Sequence, residues 1–547
     1  MTSSPKRLAI VGGGSSGLIT LKHALDRLPD WEIVCFEKSN RIEGVWGNPY
    51  PGFLSTSTKY TTQFSCYPEF DAHCQPDEGA SKAEFFRDGE YGAYLRRFAE
   101  KFSLHSHVRF STTVDEITRT EDGDRWRLKI HSRANSQDHT HTEVFDAVVI
   151  CIGLHAVTQP VNSSVHSLSV DDLRAPERIA GLRGKRIVVM GGGESGVDYA
   201  WRLSDPAWKN EVYLSLRSGI RVTPRYHPIR GVPSDFLRNR LLLSHHPGLR
   251  NLIGQKFVSW RIRYQELFER LFPGSVSART DAKPENTQLE HTQRRKEWAF
   301  KLMRHAKDDL FNMFHNKSDL FLDRVADGHL QIIGPPADTD GRTFYAFASG
   351  KTVEVNAEYL VPAMGFRSQL CELTDGQIEL SQFYLGCVHA ECSNLFLVGF
   401  ARPIIGNIPS ISEMQARYIC GIIAGDFKRP KEIQDLHQAD AARRQQQYSR
   451  IDRNVIYPVE MIPYCDELAC LMDKYPTIRK TRSLRHWWRI QTAPATTMHY
   501  FQNAEEEPIA SRTAPTYLPG VLIAFLVFMK PINWIYCLVT RAHKKRW

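Results

Sequence analysis

Two glycine-rich segments of this 547-residue chain have the residue types and spacing that bind a dinucleotide. They are the sequences GGGSSG at 12–17 and GGGESG at 191–196, and each follows an apolar run that predicts a buried strand. The first glycine makes a tight turn, the second lets a pyrophosphate approach the backbone, and the third allows close helix packing. The residues that we assign to these turns are Gly12, Gly13, Gly14, Ser15, Ser16, Gly17, Gly191, Gly193, Ser195, Gly196, Val197 and Asp198.

The residues that end the following strand distinguish the two sites. Glu37 ends the strand after the first turn, and its carboxylate can accept hydrogen bonds from an unphosphorylated ribose. Ser215 and Arg217 stand at the equivalent place after the second turn, where a guanidinium can bind a 2′-phosphate. We therefore predict FAD at the first site and NADPH at the second. The alternative for Arg217 is a solvated surface arginine.

Composition narrows the class of protein. A chain of 62.7 kDa should hold two or three domains, and its net charge of +9 is spread without any block typical of nucleic-acid binding. The eleven cysteines show no CxxC pair and no spacing typical of metal ligands, so we expect reduced thiols and no metal. The first apolar strand follows Lys6 directly, so no secretory signal is expected. A cytoplasmic enzyme, or one on the cytoplasmic face of a membrane, is predicted.

The order of the segments predicts an α/β fold in which one dinucleotide-binding domain is inserted into another. We expect the FAD domain at 1–164, the NADPH domain with a helical insertion at 165–335, the rest of the FAD domain at 336–430, and a C-terminal extension at 431–547. The buried strand near 359–366 is expected to return the chain to the first domain. The reaction would then take place in the cleft between the domains.

One helix start is expected close to the flavin. Gly406 follows the last predicted strand of the first domain, and Ser410 with Glu413 has the spacing of a capping box. A helix that begins at Ser410 with its N-terminus near the flavin would stabilise negative charge on the reduced ring. An ordinary capped helix explains the same spacing.

Over residues 6 to 475 the chain resembles the class B flavin-containing monooxygenases. The resemblance depends on motifs that occur in one shared order, of which none is diagnostic alone. They are the two turns, Glu43 to Trp46, Ser55 to Lys59, Phe64 to Pro68, Cys151 to His155, Ser215 to Arg217, Gly231 to Asp235, Lys317-Ser318, Met364 to Phe366 and Glu413 to Arg417.

This resemblance implies NADPH- and O₂-dependent monooxygenation through a C4a-hydroperoxyflavin, with a small lipophilic substrate. It implies flavin contacts for Val45, Trp46, Thr56, Ser57, Thr58 and Gly406. Ser57 aligns with a family asparagine that helps hold the hydroperoxide, so the resemblance assigns Ser57 the catalytic role. A serine is shorter and lacks an amide, which puts the lifetime of that intermediate in question.

The substrate follows less directly. The family signature F-x-G-x-x-x-H-x-x-x-[Y/F], counted from His166, lacks its first aromatic residue, its glycine and its last aromatic residue here. N- or S-oxygenation is the leading prediction, with Baeyer–Villiger oxygenation of a ketone as the alternative. A flavin disulfide reductase would need a CxxC or CxxxxC motif that is missing, and a non-catalytic nucleotide-binding scaffold would bind no flavin.

The C-terminal segment 518–540 is apolar but interrupted by Lys530 and Pro531. Its unbroken part is shorter than the ~18–20 residues that cross a bilayer. Aromatic residues and a basic cluster at 541–546 are typical of an anchor on anionic cytoplasmic lipid. We expect a membrane-associating tail; a helix packed on the enzyme's own surface and a kinked single span are the alternatives.

Overall fold

The computed structural model describes residues 4–47, 52–72, 84–134, 137–154, 157–159, 161, 163–169, 172–227, 231–271, 285–307, 309–338, 340–452, 455–500 and 515–539. The strands of this part of the chain are β1 (Arg7–Val11), β2 (Glu32–Phe36), β3 (Leu54–Thr58), β4 (Phe85–Arg87), β5 (Val108–Arg109), β6 (Thr112–Arg119), β7 (Trp126–Ala134), β8 (Gln137–Phe145), β9 (Ala147–Ile150), β10 (Val157–Thr158), β11 (His166–Ser167), β12 (Arg186–Met190), β13 (Glu211–Ser215), β14 (Val222–Thr223), β15 (Asn316–Lys317), β16 (Leu330–Pro336), β17 (Thr343–Ala346), β18 (Thr352–Glu354), β19 (Tyr359–Pro362), β20 (Phe366–Arg367), β21 (Phe383–Tyr384), β22 (Val388–His389), β23 (Leu395–Leu397), β24 (Ala401–Ile405) and β25 (Tyr457–Glu460).

The helices cover both sheets and form the C-terminal region. They are α1 (Ser15–Arg27), α2 (Lys59–Thr62), α3 (Glu90–Lys101), α4 (Pro176–Gly181), α5 (Glu194–Leu203), α6 (Arg240–Leu243), α7 (Pro247–Arg263), α8 (Gln265–Leu271), α9 (Glu285–Arg304), α10 (Phe321–Ala326), α11 (Leu370–Leu373), α12 (Ile408–Ala424), α13 (Ile433–Gln447), α14 (Met461–Leu471), α15 (Ile478–Thr481), α16 (Leu484–Thr492) and α17 (Gly520–Val539).

Two seven-stranded sheets carry the two glycine turns. The first has the order β21-β22-β23-β9-β1-β2-β5, with β1 parallel to both β2 and β9. The second has the order β11-β19-β12-β13-β16-β17-β18, with β12 parallel to both β13 and β19. The apolar residues of β1 and β12 are buried, as expected for central strands that helices cover on both faces. All strands of the second sheet lie in sequence between β9 and β23, so the predicted α/β fold with nested nucleotide units is confirmed.

The strand that was expected near 359–366 in the first sheet belongs to the second sheet. β19 pairs in parallel with β12, Val189 opposite Val361, and therefore extends the second sheet. The prediction that this strand returns the chain to the first sheet is wrong. The strand that returns is β23, which pairs with β9. The predicted domain limits 164/165, 335/336 and 430/431 stay predictions.

The C-terminal helix α17 is continuous from Gly520 to Val539, with Pro531 inside it, although Lys530 and Pro531 interrupt the apolar run. It is long and apolar enough to cross a membrane by length and composition. One side lies on α6 and the residues after it, where the backbone N–H of His246 donates to Asn533 Oδ1 (2.7 Å) and Lys530 donates to Ser244 Oγ. The other side is exposed, including Val521 (85% exposed) and Phe528 (70% exposed). The basic cluster at 541–546 lies outside the described residues.

Candidate active site

The first glycine turn has a backbone that only glycine tolerates. Gly12 has a φ of +108°, and a Cβ atom there would lie 2.8 Å from the carbonyl oxygen of Cys151. A Cβ atom on Gly17 would lie 1.8 Å from the carbonyl oxygen of Gly12. The turn from β1 into α1 is therefore as tight as dinucleotide binding requires.

Glu37 lies directly beside this turn. Its carboxylate accepts hydrogen bonds from the backbone N–H of Gly13 (2.7 Å) and from the N–H and hydroxyl of Ser39 (2.9 and 2.8 Å). A carboxylate offers about four acceptor positions. These contacts fix its orientation and leave capacity for a ribose hydroxyl.

The start of α1 leaves backbone N–H groups for an anion. Its N-cap is Gly14, which supplies no side-chain cap. The neighbouring hydroxyls bind protein groups instead, Ser15 Oγ to Tyr91 and Ser16 Oγ to Ser412, both at 2.9 Å. A pyrophosphate here would therefore be held by backbone N–H groups and the helix dipole.

A short loop covers this turn. Gly44 lies opposite Gly14, and a Cβ atom on Gly14 would lie 3.5 Å from Gly44 Cα. Gly44 begins a 3-10 turn in which the Trp46 ring packs edge-on against Tyr91, with ring centroids 5.0 Å apart. The side chain of Val45 in the same turn is 54% exposed. The first site is thus enclosed by its own domain.

The second glycine turn repeats the geometry but is open. Gly191 has a φ of +117°, and a Cβ atom on Gly196 would lie 2.0 Å from the Gly191 carbonyl oxygen. No described atom lies within 4 Å of a Cβ placed on Gly193, the N-cap of α5. A pyrophosphate has room to approach this backbone, and the residues present fit the second coenzyme.

The other predicted residues of the second site divide into buried and accessible ones. Val197 is 1% exposed in the core of this unit, so only its backbone could serve the site, while Ser195 and Asp198 are half-buried. Ser215 is buried and donates its hydroxyl to the carbonyl of Gly334 (2.9 Å). Arg217 is exposed just beyond β13. The guanidinium is thus the group available to a 2′-phosphate.

Asp235 joins the two units at β3, which carries Thr56, Ser57 and Thr58. Its Oδ2 accepts from the Thr58 backbone N–H (2.9 Å), the Thr58 hydroxyl (3.0 Å) and the Thr61 hydroxyl (2.9 Å). Its Oδ1 is buried and accepts no hydrogen bond from described residues. The segment inserted between β14 and β15 thus fixes the strand that presents Ser57.

Arg225 strengthens this junction from the same segment. It donates to the backbone carbonyls of Leu54 (2.9 Å) and Ser55 (3.0 Å). The hydroxyl of Ser55 in turn donates to the Ser57 carbonyl (2.7 Å). No described residue hydrogen-bonds the Ser57 side chain, so its hydroxyl is available to a ligand.

A buried lysine controls the charge of Asp235. Burial alone would raise the pKa of this carboxyl, but the Lys317 ammonium, 4.0 Å from Oδ1, and the hydrogen bonds at Oδ2 lower it overall. Burial lowers the pKa of Lys317 to about 8, against the attraction of Asp235. The carboxylate is therefore ionised near neutral pH, next to a lysine that is mostly protonated.

Ser57, Asp235 and Gly406 line one cavity, together with Arg238 and Asn407. Gly406 has a φ of +121°, and a Cβ atom there would lie 2.3 Å from Met461 Cβ. The chain turns at this glycine into α12, which begins at Ile408. Three distant segments, β3, the insertion and the start of α12, thus meet in one cavity.

The predicted capping box at Ser410 and Glu413 is wrong. The N-cap is Asn407, whose Oδ1 accepts from the Ser410 N–H (2.9 Å), so the N-cap lies three residues earlier than expected. Glu413 is fully buried and accepts from the Ser65 N–H (3.0 Å) and the Thr497 hydroxyl (2.6 Å). Its carboxylate therefore connects α12 to the segments of Ser65 and Thr497 and does not cap the helix.

Sequence reasoning missed Asp235, Arg238 and Lys317 as site residues. Asp235 and Lys317 lie in motifs that carry the family resemblance, but a motif match assigns no role. Thr58 and Asp235 are 177 positions apart, so no local spacing indicates their contact. Arg238 belongs to none of the motifs.

The sequence pattern of the flavin-binding monooxygenase-like family matches residues 5–283. This is more than half of the chain, and the protein belongs to this family. It is accordingly an FAD-containing, NADPH-dependent monooxygenase, as the family resemblance implies.

Individual relatives are distant. The chain is 27% identical over 507 residues to 4-hydroxybenzoate brominase (decarboxylating) of Marinomonas mediterranea. This alignment covers 88% of this chain and 87% of that protein. It is 27% identical over 490 residues to the N-oxide-forming dimethylaniline monooxygenase 2 of Pan troglodytes, with 85% and 82% covered. The fold is similar to that of NADP⁺-bound cyclohexanone monooxygenase from Rhodococcus sp. Phi1, with a TM-score of 0.53, 18% identity, and 86% and 98% covered.

Proposed function

We propose that this enzyme adds one oxygen atom of O₂ to a nitrogen or sulfur atom of a small substrate with an apolar body. The observation that carries this proposal is the single cavity shared by Ser57, Gly406 and the inserted segment at Asp235. Residues from both nucleotide units contact each other around it through Arg225 and Asp235. A flavin held by the first unit and a coenzyme held by the second could meet there.

The residues of the two turns have separate roles in this proposal. The first turn and Glu37 hold the adenosine half of FAD, and the second turn and Arg217 hold NADPH. When bound, FAD would supply the oxygen-transfer chemistry, with NADPH as the source of hydride and O₂ as the source of the oxygen atom. Ser57 would donate its hydroxyl to the transferred oxygen atom, and the apolar walls of the cavity would exclude water.

The names of the relatives leave the substrate open. One denotes a neutral amine, dimethylaniline, and another a hydroxybenzoate, which carries an acid group. N- or S-oxygenation suits the first kind of substrate. Oxygen insertion next to a ketone is the alternative, and its ester or lactone product would identify it.

We also propose that α17 attaches the enzyme to the cytoplasmic face of a membrane. Its polar side chains face the enzyme, Lys530 towards Ser244 and Asn533 towards His246, while Phe528 and Val521 point outwards. A helix that lies in the membrane interface, with one face docked on the enzyme, explains both the polar face and the exposed apolar face. The finding that α17 has the length and composition of a span leaves insertion as the competing arrangement.

The activity is tested with the purified full-length protein. We expect a yellow protein that consumes O₂ and NADPH faster when amines or thioethers are added, with a product that gains one oxygen atom. A colourless protein would contradict the proposed function. So would a yellow protein whose flavin absorbance does not fall when NADPH is added in the absence of oxygen.

The membrane proposal is tested by flotation with vesicles that contain anionic lipid. Phe528→Glu should reduce the bound fraction because it places a charge on the exposed apolar face. Leu484→Glu is the matched control, since Leu484 is also well exposed (66%) but lies on α16. Equal flotation of both variants and the wild type would mean that α17 does not contact lipid.

A further inference from the structure

The cavity beside Ser57 contains an arginine whose guanidinium forms no ion pair or hydrogen bond with the described residues. Arg238 lines this cavity. Within the described part of the chain, no carboxylate oxygen lies within 4.0 Å of its guanidinium, and the guanidinium donates no hydrogen bond. Burial lowers the pKa of Arg238 against the attraction of Asp235, Glu460 and Glu194. An arginine in such surroundings favours an anionic partner.

The nearby carboxylates are already engaged. Asp235 accepts three hydrogen bonds at Oδ2, and its Oδ1 faces Lys317. Glu460 is held by both terminal nitrogens of Arg250, at 2.7 and 2.6 Å, in a buried bidentate pair. The negative charge of Glu194 is attracted first by Arg402 and then by Lys317. Asp235 and Glu460 are thus each engaged by another cation.

The remaining walls of the cavity are mainly apolar. Its apolar lining residues are Leu243, Ile405, Met461, Ile462 and Ala495. A molecule that fits this space presents an apolar body to these walls and one anionic group to Arg238.

We propose that Arg238 binds the carboxylate of the substrate and so orients an acidic, otherwise apolar molecule beside Ser57. A planar guanidinium binds a carboxylate through two parallel hydrogen bonds. One unpaired cation balances the single negative charge of a carboxylate, whereas it would leave one charge of a phosphate dianion without a partner. This inference rests on the proposed function, since it places the substrate in the same cavity, and it narrows the substrate class to carboxylic acids.

The test uses the flavin-loaded enzyme and four small probes. Benzoate and hexanoate carry the carboxylate, and benzamide and hexanamide are their neutral counterparts. Dissociation constants are measured by titration calorimetry for the wild type, Arg238→Met, Arg238→Lys and the control Arg178→Met, whose arginine is exposed on α4. The KM for NADPH is measured for each protein in parallel.

We expect the acids to bind the wild type and Arg178→Met more tightly than the amides. Arg238→Met should weaken the acids roughly tenfold to a hundredfold, as loss of a charged hydrogen bond does, and leave the amides unchanged. Arg238→Lys should retain part of the preference, and the KM for NADPH should not change.

Two results would overturn the inference. Equal affinity of the wild type for the acids and the amides would show that the cavity does not recognise a carboxylate. Unchanged affinity of Arg238→Met for the acids would show that Arg238 does not bind them, and a raised KM for NADPH in that variant would then assign this arginine to the coenzyme. In each case the enzyme still binds flavin and oxidises NADPH, so the proposed function survives; a protein without flavin would overturn both.

Discussion

The two glycine turns share a backbone but differ in what lies around them. A Cβ atom on Gly14 would lie 3.5 Å from Gly44 Cα of the covering loop, whereas a Cβ atom on Gly193 would meet no described atom within 4 Å beyond its own chain neighbours. Glu37 is buried and held by Gly13 and Ser39, whereas Arg217 is exposed. The first unit is enclosed and the second is open.

This difference matches the behaviour required of the two coenzymes. FAD stays bound during turnover, so its site benefits from a loop that covers it. NADPH must exchange in every cycle, so its site benefits from access. The glycines build the common turn, and we propose that the residues at the strand ends and the covering loop decide which dinucleotide is held and how firmly.

The largest expected effect comes from placing the same side chain in both turns. Gly14→Val puts two methyl groups beyond a Cβ that is already 3.5 Å from Gly44, in the space for the pyrophosphate, and should give colourless protein. Gly193→Val is the matched control, because its side chain enters open space; it should give yellow protein that no longer saturates with NADPH. Absorbance spectra and NADPH titrations distinguish the two. A yellow Gly14→Val protein would show that FAD does not bind this turn.

A smaller effect is expected at the end of the second strand. Arg217→Ala should weaken NADPH by about 1.5 kcal/mol, the low end for a charged hydrogen bond because the side chain is exposed, and should leave NADH almost unchanged. Steady-state KM values for both coenzymes measure this. Arg183→Ala, also exposed in the same unit, is the control. Equal losses with NADPH and NADH would remove Arg217 from the 2′-phosphate site.

The smallest effect concerns Ser57, which lies between the two units. Ser57→Asn adds a donor and an acceptor and should lower the hydrogen peroxide released per NADPH consumed, whereas Ser57→Ala should raise it. Peroxide and oxygenated product are quantified together at fixed NADPH consumption. The same ratio in all three proteins would mean that the hydroxyl of Ser57 does not contact the reacting oxygen.

Local patterns predicted much of this fold, and contacts between distant residues account for the errors. Both turns and the central strands β1 and β12 follow from runs whose signals lie within about thirty residues. β19 was assigned to the wrong sheet because a buried apolar run followed by glycine looks the same in either sheet. Glu413 has capping-box spacing, yet Ser65, 348 positions away, supplies the donor that it binds.

The cavity beside Ser57 was beyond sequence reasoning for the same reason. Asp235 and Thr58 meet only because the insertion folds back over β3. Glu460, one of the acids that attract Arg238, is held by Arg250, and sequence spacing does not encode such competition.

The central claim, that the enclosed unit holds the flavin and the open unit delivers the electrons, has one direct test. Flavin absorbance is followed after anaerobic mixing with NADPH in the wild type, Arg217→Ala and Gly193→Val. We predict rapid bleaching in the wild type, bleaching that needs more NADPH in Arg217→Ala, and none in Gly193→Val although flavin is bound. Bleaching of Gly193→Val at the wild-type rate and NADPH concentration would contradict the account.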